Sequence, residues 1–147
     1  KNLEDMNVNL FSARISYLKE VNGKMKKVVE NYLVNGWRFG SVEERIEKEL
    51  KDECLDYFQV DDISKVNYEE YIPNALLEEP KYYTIKTTCT YIDDKGKEVK
   101  QKHYYLVASD STENATKLFK EYMKDNCENW EICGIIETNY LEIFMES

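Results

Sequence analysis

The chain has 147 residues, of which 42% are hydrophobic and 33% are charged, and its formal net charge is −9 at pH 7. Folding at this length buries about two-thirds of the unfolded chain's surface, so the core needs no disulfide or metal to support it. The apolar runs are far shorter than the ~20 residues that cross a bilayer, and the start, KNLEDMNVNL, lacks the pattern of a secretory signal. We therefore expect a soluble, cytoplasmic, globular protein with no membrane partner.

Two stretches of the chain are versions of one pattern. FSARISYLKEVNGKMKKVVENYLV begins at Phe11, and IKTTCTYIDDKGKEVKQKHYYLV begins at Ile85. Turn and strand positions recur 73 residues apart, as Gly23 and Gly96 do. Small slips of this spacing fall in loops, which tolerate insertions better than helices and strands do. The pattern indicates an internal duplication.

The duplication divides the chain into predicted segments. We predict a first repeat over 10–72, a linker over 73–81 and a second repeat over 82–147. Pro73 and Pro80 lie in the linker, where they disturb no central strand. Two copies are too few for a solenoid, so we expect one domain spanning the chain in which a pseudo-twofold pair shares a core.

A β-hairpin is predicted at the start of each repeat. Apolar side chains at alternate positions indicate a half-buried first strand, at Phe11, Ala13, Ile15 and Tyr17 in the first repeat. Asn22 and Gly23 supply a turn that can reach positive φ, and Gly96 takes the matching place in the second repeat.

A helix is predicted after each hairpin. Ser41–Glu44 has the spacing of a capping box, and Asp110 or Ser111 can serve as N-cap of the second helix. The first helix has one narrow apolar stripe that a sheet can cover, at Val42, Ile46 and Leu50.

A further strand follows each helix, and each repeat then closes on an aromatic motif. The strands are predicted around Phe58 and Trp130, and the closing motifs are NYEEYI from Asn67 and NYLEIF from Asn139. The predicted fold class is α+β, an internal duplication of a β-hairpin, helix and strand unit with antiparallel sheets and one helix per copy. Whether the copies share one sheet or form two facing sheets stays open.

No catalytic residue, cofactor site or metal site is predicted. The four cysteines lack the CxxC spacing of zinc and redox sites, and we expect them to be reduced and mostly buried; they are Cys54, Cys89, Cys127 and Cys133. His103 is the one histidine and has no identifiable serine, cysteine or acid partner in the sequence. Adjacent acidic pairs point to opposite faces of a strand and cannot share a metal. We therefore expect no enzymatic activity.

Three motifs carry a resemblance to a known family. They are GKMKKVVENYLV over 23–34, SVEERI over 41–46 and ETNYLEIF over 137–144. With these motifs the chain resembles a family of unknown function, small two-copy proteins encoded by Bacteroides-type bacteria and their tailed phages, over roughly 11–144. The resemblance implies no activity and no site residues, but it implies a small cytoplasmic protein of phage or mobile-element origin.

Lysines concentrate on the two predicted hairpins, whereas the first helix is acidic. The candidate interaction surface comprises Lys24, Lys26, Lys27, Lys97, Lys100, Lys102 and Tyr104. The simplest interpretation is a solvated face that also protects edge strands from aggregation. Alternatively, the hairpins dock on acidic helices of another copy, or they contact nucleic acid with tyrosines as stacking surfaces.

These observations favour a protein-protein interaction or assembly module that binds a protein partner or a second copy of itself. The net charge of −9 disfavours general binding to phosphate backbones, so a nucleic-acid-associated protein acting through lysine-rich hairpins is the alternative. An acidic decoy of a host DNA-binding protein is a further alternative, for which the negative charge is the support.

Overall fold

The structure, a computed structural model, describes residues 9–52, 57–126 and 129–145. In chain order its elements are β1 (Asn9–Val21), β2 (Lys24–Gly36), α1 (Phe39–Asp52), β3 (Gln59–Val66), β4 (Glu70–Ile72), β5 (Lys81–Ile92), β6 (Glu98–Ser109), α2 (Thr112–Met123), β7 (Asn129–Glu137) and β8 (Tyr140–Phe144). No helix in these ranges is long and apolar enough to span a membrane. The predicted α+β class with one helix per repeat is confirmed.

The described chain forms two compact units with one four-stranded sheet each. The second unit runs from Tyr68 to Thr138, and the first unit takes the chain up to Asn67 and again from Asn139 onward. The first sheet has the order β3-β1-β2-β8, and the second has the order β4-β6-β5-β7. Read from its other edge, the second sheet repeats the first, with hairpin strands in the centre and a closing strand beside the return arm.

The closing strands are exchanged between the repeats. NYEEYI of the first repeat forms β4, which pairs with β6 of the second unit so that Ile72 lies opposite Val107. NYLEIF of the second repeat forms β8, which pairs with β2 of the first unit so that Phe144 lies opposite Val34. Both pairings are parallel, whereas the hairpin and third-strand pairings are antiparallel. The sequence predicted neither the exchange nor the parallel edges.

The core of the first unit lies between its sheet and α1. The stripe predicted on α1 is confirmed, because Val42, Ile46 and Leu50 are at most 1% exposed. It packs on the alternate apolar positions of β1 and on Tyr32 and Val34. The ring of Phe144 stacks on Tyr32 with centroids 5.2 Å apart, so the exchanged strand supplies a core side chain.

The core of the second unit is organised around a ring on α2. Phe119 is fully buried, and its ring centroid lies 4.9 Å from that of Tyr105 and 5.6 Å from that of Trp130. Ile72 of the exchanged β4 belongs to the same cluster. Each unit therefore completes its core with one apolar side chain from the other repeat.

The two helices begin differently. Ser111 is the N-cap of α2, as predicted, since its hydroxyl accepts a hydrogen bond from the backbone N–H of Asn114. Ser41 is not the N-cap of α1, because α1 already begins at Phe39. The Ser41 hydroxyl instead donates to the carbonyl of Arg38 over 2.8 Å.

Each hairpin continues beyond the four-stranded part of its sheet as a two-stranded ribbon. In the first unit, β3 pairs with β1 only as far as Ser16, and β8 pairs with β2 only from Asn31. Residues 17–30 are called the first ribbon. By the same criterion 91–104 form the second ribbon, since β7 pairs with β5 as far as Thr90 and β4 pairs with β6 from Tyr105. The predicted turns are confirmed, with positive φ at Asn22, Gly23 and Gly96.

Candidate interaction surfaces

The lysines of the first ribbon lie on both of its faces. Side chains alternate across a strand, and the buried residues of β1 and β2 identify the face that carries α1. By this alternation Lys24 and Lys26 continue the helix-bearing face, whereas Lys27 lies on the opposite, helix-free face across from Leu18. The structure therefore does not bring these three predicted residues into one patch.

The second ribbon gathers its predicted residues more closely. Lys100, Lys102 and Tyr104 alternate along the helix-free face of β6, and Tyr104 is paired with Lys86 of β5. These four residues are called the lysine strip. In the part of the chain that the structure describes, none of its three lysines has a carboxylate oxygen within 4 Å.

Two features of the lysine strip differ from the sequence prediction. Lys97 precedes β6 and closes the turn, where its backbone N–H donates to the side chain of Asp93 over 2.9 Å. Lys86 was not predicted, because it lies on the other arm of the hairpin and only the strand register brings it beside Tyr104.

An apolar patch that the sequence analysis missed lies on the helix-free face of the first ribbon. Leu18, Met25 and Val29 are 66%, 62% and 49% exposed, and the register of β1 and β2 places them on the same face. These three residues are called the apolar patch. In the sequence, the signal was that Met25 and Val29 stand at alternate positions of β2 together with Lys27, which places all three on one face.

The helix-free face of the second ribbon is mainly charged at the corresponding positions. Ile92 takes the place of Leu18 at the end of the first arm, while Glu98 and Lys102 take those of Met25 and Val29. The apolar patch is therefore a property of the first repeat and not of the shared fold.

The exposed surface of α1 is of mixed charge. Glu43, Glu44 and Glu47 are exposed, but so are Lys48 and Lys51 of the same helix. The predicted segregation into basic hairpins and an acidic helix is therefore weaker in the folded chain than in the sequence.

A partly buried polar cluster lies on the helix-bearing face of the first unit. The Glu30 carboxylate accepts hydrogen bonds from the hydroxyls of Tyr17 and Tyr32 over 3.2 and 3.0 Å. Burial, followed by the charge of Glu30, raises the pKa of the Tyr17 phenol above its ordinary value. Tyrosine and carboxylate thus hold each other in place beside the core.

The second unit replaces this cluster with a histidine-carboxylate pair. His103 takes the place of Glu30, and its Nδ1 lies 2.8 Å from Oε1 of Glu69. The sequence identified no acid partner for His103, because Glu69 belongs to the segment that leads into the exchanged β4. The pair borders a cleft of about 490 Å³.

The cysteines show no common arrangement. Cys89 is buried, as predicted, whereas Cys133 is exposed, and its Sγ lies 2.6 Å from the hydroxyl oxygen of Thr88. Cys54 and Cys127 fall outside the described residues. Among the residues described, no group of three or more His, Cys, Asp or Glu side chains is arranged to hold a metal ion.

Comparison with known proteins places the chain in a family. No curated protein and no solved structure matches it. The model of a family described as a domain of unknown function, DUF4494, matches residues 9–146. Because this match spans both repeats and nearly the whole chain, the protein belongs to the DUF4494 family of domains of unknown function.

Proposed function

We propose that this protein is a non-enzymatic protein-protein interaction module that self-associates through the apolar patch of the first ribbon. The observation that carries the proposal is the joint exposure of Leu18, Met25 and Val29 on one face of a ribbon that no helix covers. Exposed apolar side chains grouped with polar ones are typical of protein interaction sites, and here Lys27 lies opposite Leu18 and between Met25 and Val29 on the same face. The exposed apolar surface of the first ribbon is therefore the feature that supports this proposal.

The energetics of the ribbon support association. A two-stranded hairpin is at best marginally stable in water without packing against a third element. Fully burying a leucine, methionine or valine side chain stabilises by about 1.5–3 kcal/mol. Burial of three such side chains from each of two copies therefore offers the apolar core of a small interface.

The charged residues among the apolar side chains favour a second copy as the partner. Glu20 and Lys27 lie on the same face as the apolar patch, opposite Met25 and Leu18 respectively. A twofold interface must be self-complementary, since each residue meets the partner's matching surface. Opposite charges on the two arms meet this requirement, because Glu20 of one copy can face Lys27 of the other.

The setting of this role is part of the proposal. The resemblance to proteins of Bacteroides-type bacteria and their phages supports a small assembly module of phage or mobile-element origin that acts in the cytoplasm of a bacterial host. Docking of lysines on acidic helices is not the favoured contact, since the exposed surface of α1 also carries Lys48 and Lys51.

Light scattering over a range of protein concentrations tests the proposal. The test variant is Leu18→Thr with Val29→Thr, because threonine keeps high strand propensity while removing apolar surface. The matched control is Ile92→Thr, which makes the same kind of change at a 64% exposed position of the second ribbon. Wild type and control are expected to gain mass with concentration, and the double variant is expected to stay at the monomer mass.

Salt dependence separates apolar association from charge-driven association. Charge contacts at the surface weaken as salt shortens the screening length, whereas apolar contacts do not depend on it. The proposed dimer therefore persists at 1 M salt, where the screening length is about 3 Å. A double variant that associates as wild type does would refute the role of the apolar patch.

A second candidate function is binding of single-stranded nucleic acid by the lysine strip. The specific observation is that Lys86, Lys100 and Lys102 share one face with Tyr104, which is 39% exposed. Lysines that track a backbone beside a stacking ring are typical of single-strand binding surfaces. Retention of a short single-stranded DNA that falls with salt, and that Lys100→Glu with Lys102→Glu abolishes, is the expected result for this function.

A further inference from the structure

The cleft in the second unit has a lining unlike the rest of the helix-bearing face. It lies on the side of β6 that faces α2, next to the C-terminal end of that helix, and has a volume of about 490 Å³. Its lining is mainly polar and includes Gln101, His103, Asn126 and Asn129, with Tyr91 and Tyr105 as aromatic walls. This volume falls within the ~300–1,000 Å³ of small-molecule sites.

The first repeat serves as an internal comparison for this lining. Gln101 and His103 take the places of Val28 and Glu30, whereas both tyrosines are retained as Tyr17 and Tyr32. In the first unit those tyrosines donate to Glu30 and form a closed cluster. Divergence of the second repeat has therefore placed amide and imidazole groups between retained aromatic side chains.

Several polar groups of the cleft are available to a ligand. The side-chain amides of Gln101 and Asn129 make no hydrogen bond to any residue that the structure describes, although the backbones of both residues belong to strands. Glu69 engages Nδ1 of His103, which orients the ring and leaves Nε2 as the nitrogen that can meet a ligand. A primary amide offers both a donor and an acceptor on one planar group.

The charge of the cleft limits the chemistry of its ligand. Among the described lining residues there is no lysine or arginine, and His103 is paired with the carboxylate of Glu69. Phosphates and carboxylates are bound chiefly by such cationic groups, so an anionic ligand is disfavoured. The polar lining disfavours an aliphatic ligand, because burying unpaired polar groups is costly.

We propose that this cleft binds a nucleobase, a neutral planar ring whose edge carries hydrogen-bond donors and acceptors. The amides of Gln101 and Asn129 match such edges, since glutamine and asparagine pair with base edges in protein–nucleic acid contacts. Tyr91, which is 46% exposed, offers a ring face on which a base can stack, and Tyr105, whose ring also packs on Phe119, forms a second aromatic wall of the cleft. The base comes either from a free nucleoside or from an unpaired position in a single strand. This site is independent of the apolar patch, which belongs to the first unit.

Isothermal titration calorimetry with the full chain tests the site. The ligands are the four free ribonucleosides, a short single-stranded DNA, and glucose and N-acetylglucosamine as neutral polar ligands without a base. Binding of at least one nucleoside supports the proposal, and so does binding of the oligonucleotide alone where it persists in Lys100→Glu with Lys102→Glu, the change that removes the lysine strip. The ligand that binds identifies the source of the base. Binding of a sugar without any nucleoside or oligonucleotide, or no binding of any of them at millimolar concentration, overturns it.

Substitutions assign the binding to the cleft. Gln101→Val restores the residue of the first repeat and is expected to weaken binding about tenfold or more, the usual effect of losing a bidentate base contact. Gln59→Val is the matched control, because Gln59 is an exposed glutamine of a strand in the first unit. Asn129→Ala provides a second test if Gln101→Val does not fold. Binding that is unchanged in both Gln101→Val and Asn129→Ala refutes the assignment.

Discussion

The exchange of closing strands predicts that a change in one repeat destabilises the unit built on the other. Phe144→Ala changes the second repeat, yet Phe144 is 5% exposed and packs in the core of the first unit. Its counterpart is Ile72→Ala, which changes the first repeat at a residue that is 7% exposed and packs in the core of the second unit. The two substitutions therefore have crossed effects.

The magnitude follows from the atoms removed. Truncation of a buried phenylalanine to alanine usually costs about 3–5 kcal/mol, and of a buried isoleucine about 2–5 kcal/mol. Both residues lie on short edge strands where neighbours can relax, so we take the lower limits, about 3 and about 2 kcal/mol. A loss of about 3 kcal/mol corresponds to a change of roughly a hundredfold in the local opening equilibrium.

Native-state hydrogen exchange measures this opening strand by strand. In Phe144→Ala, the amides of β2 around Leu33, which pair with β8, are expected to exchange up to roughly a hundredfold faster. The amides of β6 around Leu106, which pair with β4, are expected to respond to Ile72→Ala instead. Faster exchange in β6 and unchanged exchange in β2 of Phe144→Ala would refute the exchanged topology.

Two further predictions concern packing and pH. Gly36→Ala is expected to destabilise the fold by about 1–3 kcal/mol, since the new Cβ would lie 2.7 Å from Cγ2 of Val42. Gly134→Ala is the control, because its Cβ would meet nothing within 4 Å. Equal urea midpoints for the two variants would contradict the expectation. Burial, with a smaller effect of Tyr82, raises the pKa of Tyr71 to about 12. The folded state favours the neutral phenol of Tyr71. The stability that this preference contributes is therefore complete below the unfolded pKa of about 10, and it falls by at most about 2 kcal/mol as the pH rises towards 12. In urea unfolding, the free energy of unfolding is expected to fall less between pH 9 and pH 11.5 in Tyr71→Phe than in wild type. Equal falls in the two proteins would contradict this assignment.

Features fixed by local sequence were predictable. The turn at Asn22 and Gly23 needs only positive φ, and the stripe of α1 needs only helical spacing. Local sequence likewise limited the N-cap of α2 to Asp110 or Ser111, and the structure shows Ser111. The prediction of Ser41 as the N-cap of α1 was wrong, because α1 begins two residues earlier, at Phe39.

Features fixed by strand pairing were not predictable. NYEEYI and NYLEIF are alike, and each sheet offers the same kind of edge beside its return arm, so the sequence does not state which edge each motif joins. The pair of His103 and Glu69 depends on that choice. The position of Lys86 beside Tyr104 likewise requires the hairpin register, and alternation alone does not show which face of a ribbon a helix covers.

The solution mass of the wild-type protein at 1 M salt, followed by light scattering as its concentration rises, tests the central claim most directly. If the apolar patch joins two copies, the mass rises towards twice that of the monomer and does so at low and high salt alike. A protein that keeps the monomer mass at every concentration and both salt levels would contradict self-association through Leu18, Met25 and Val29.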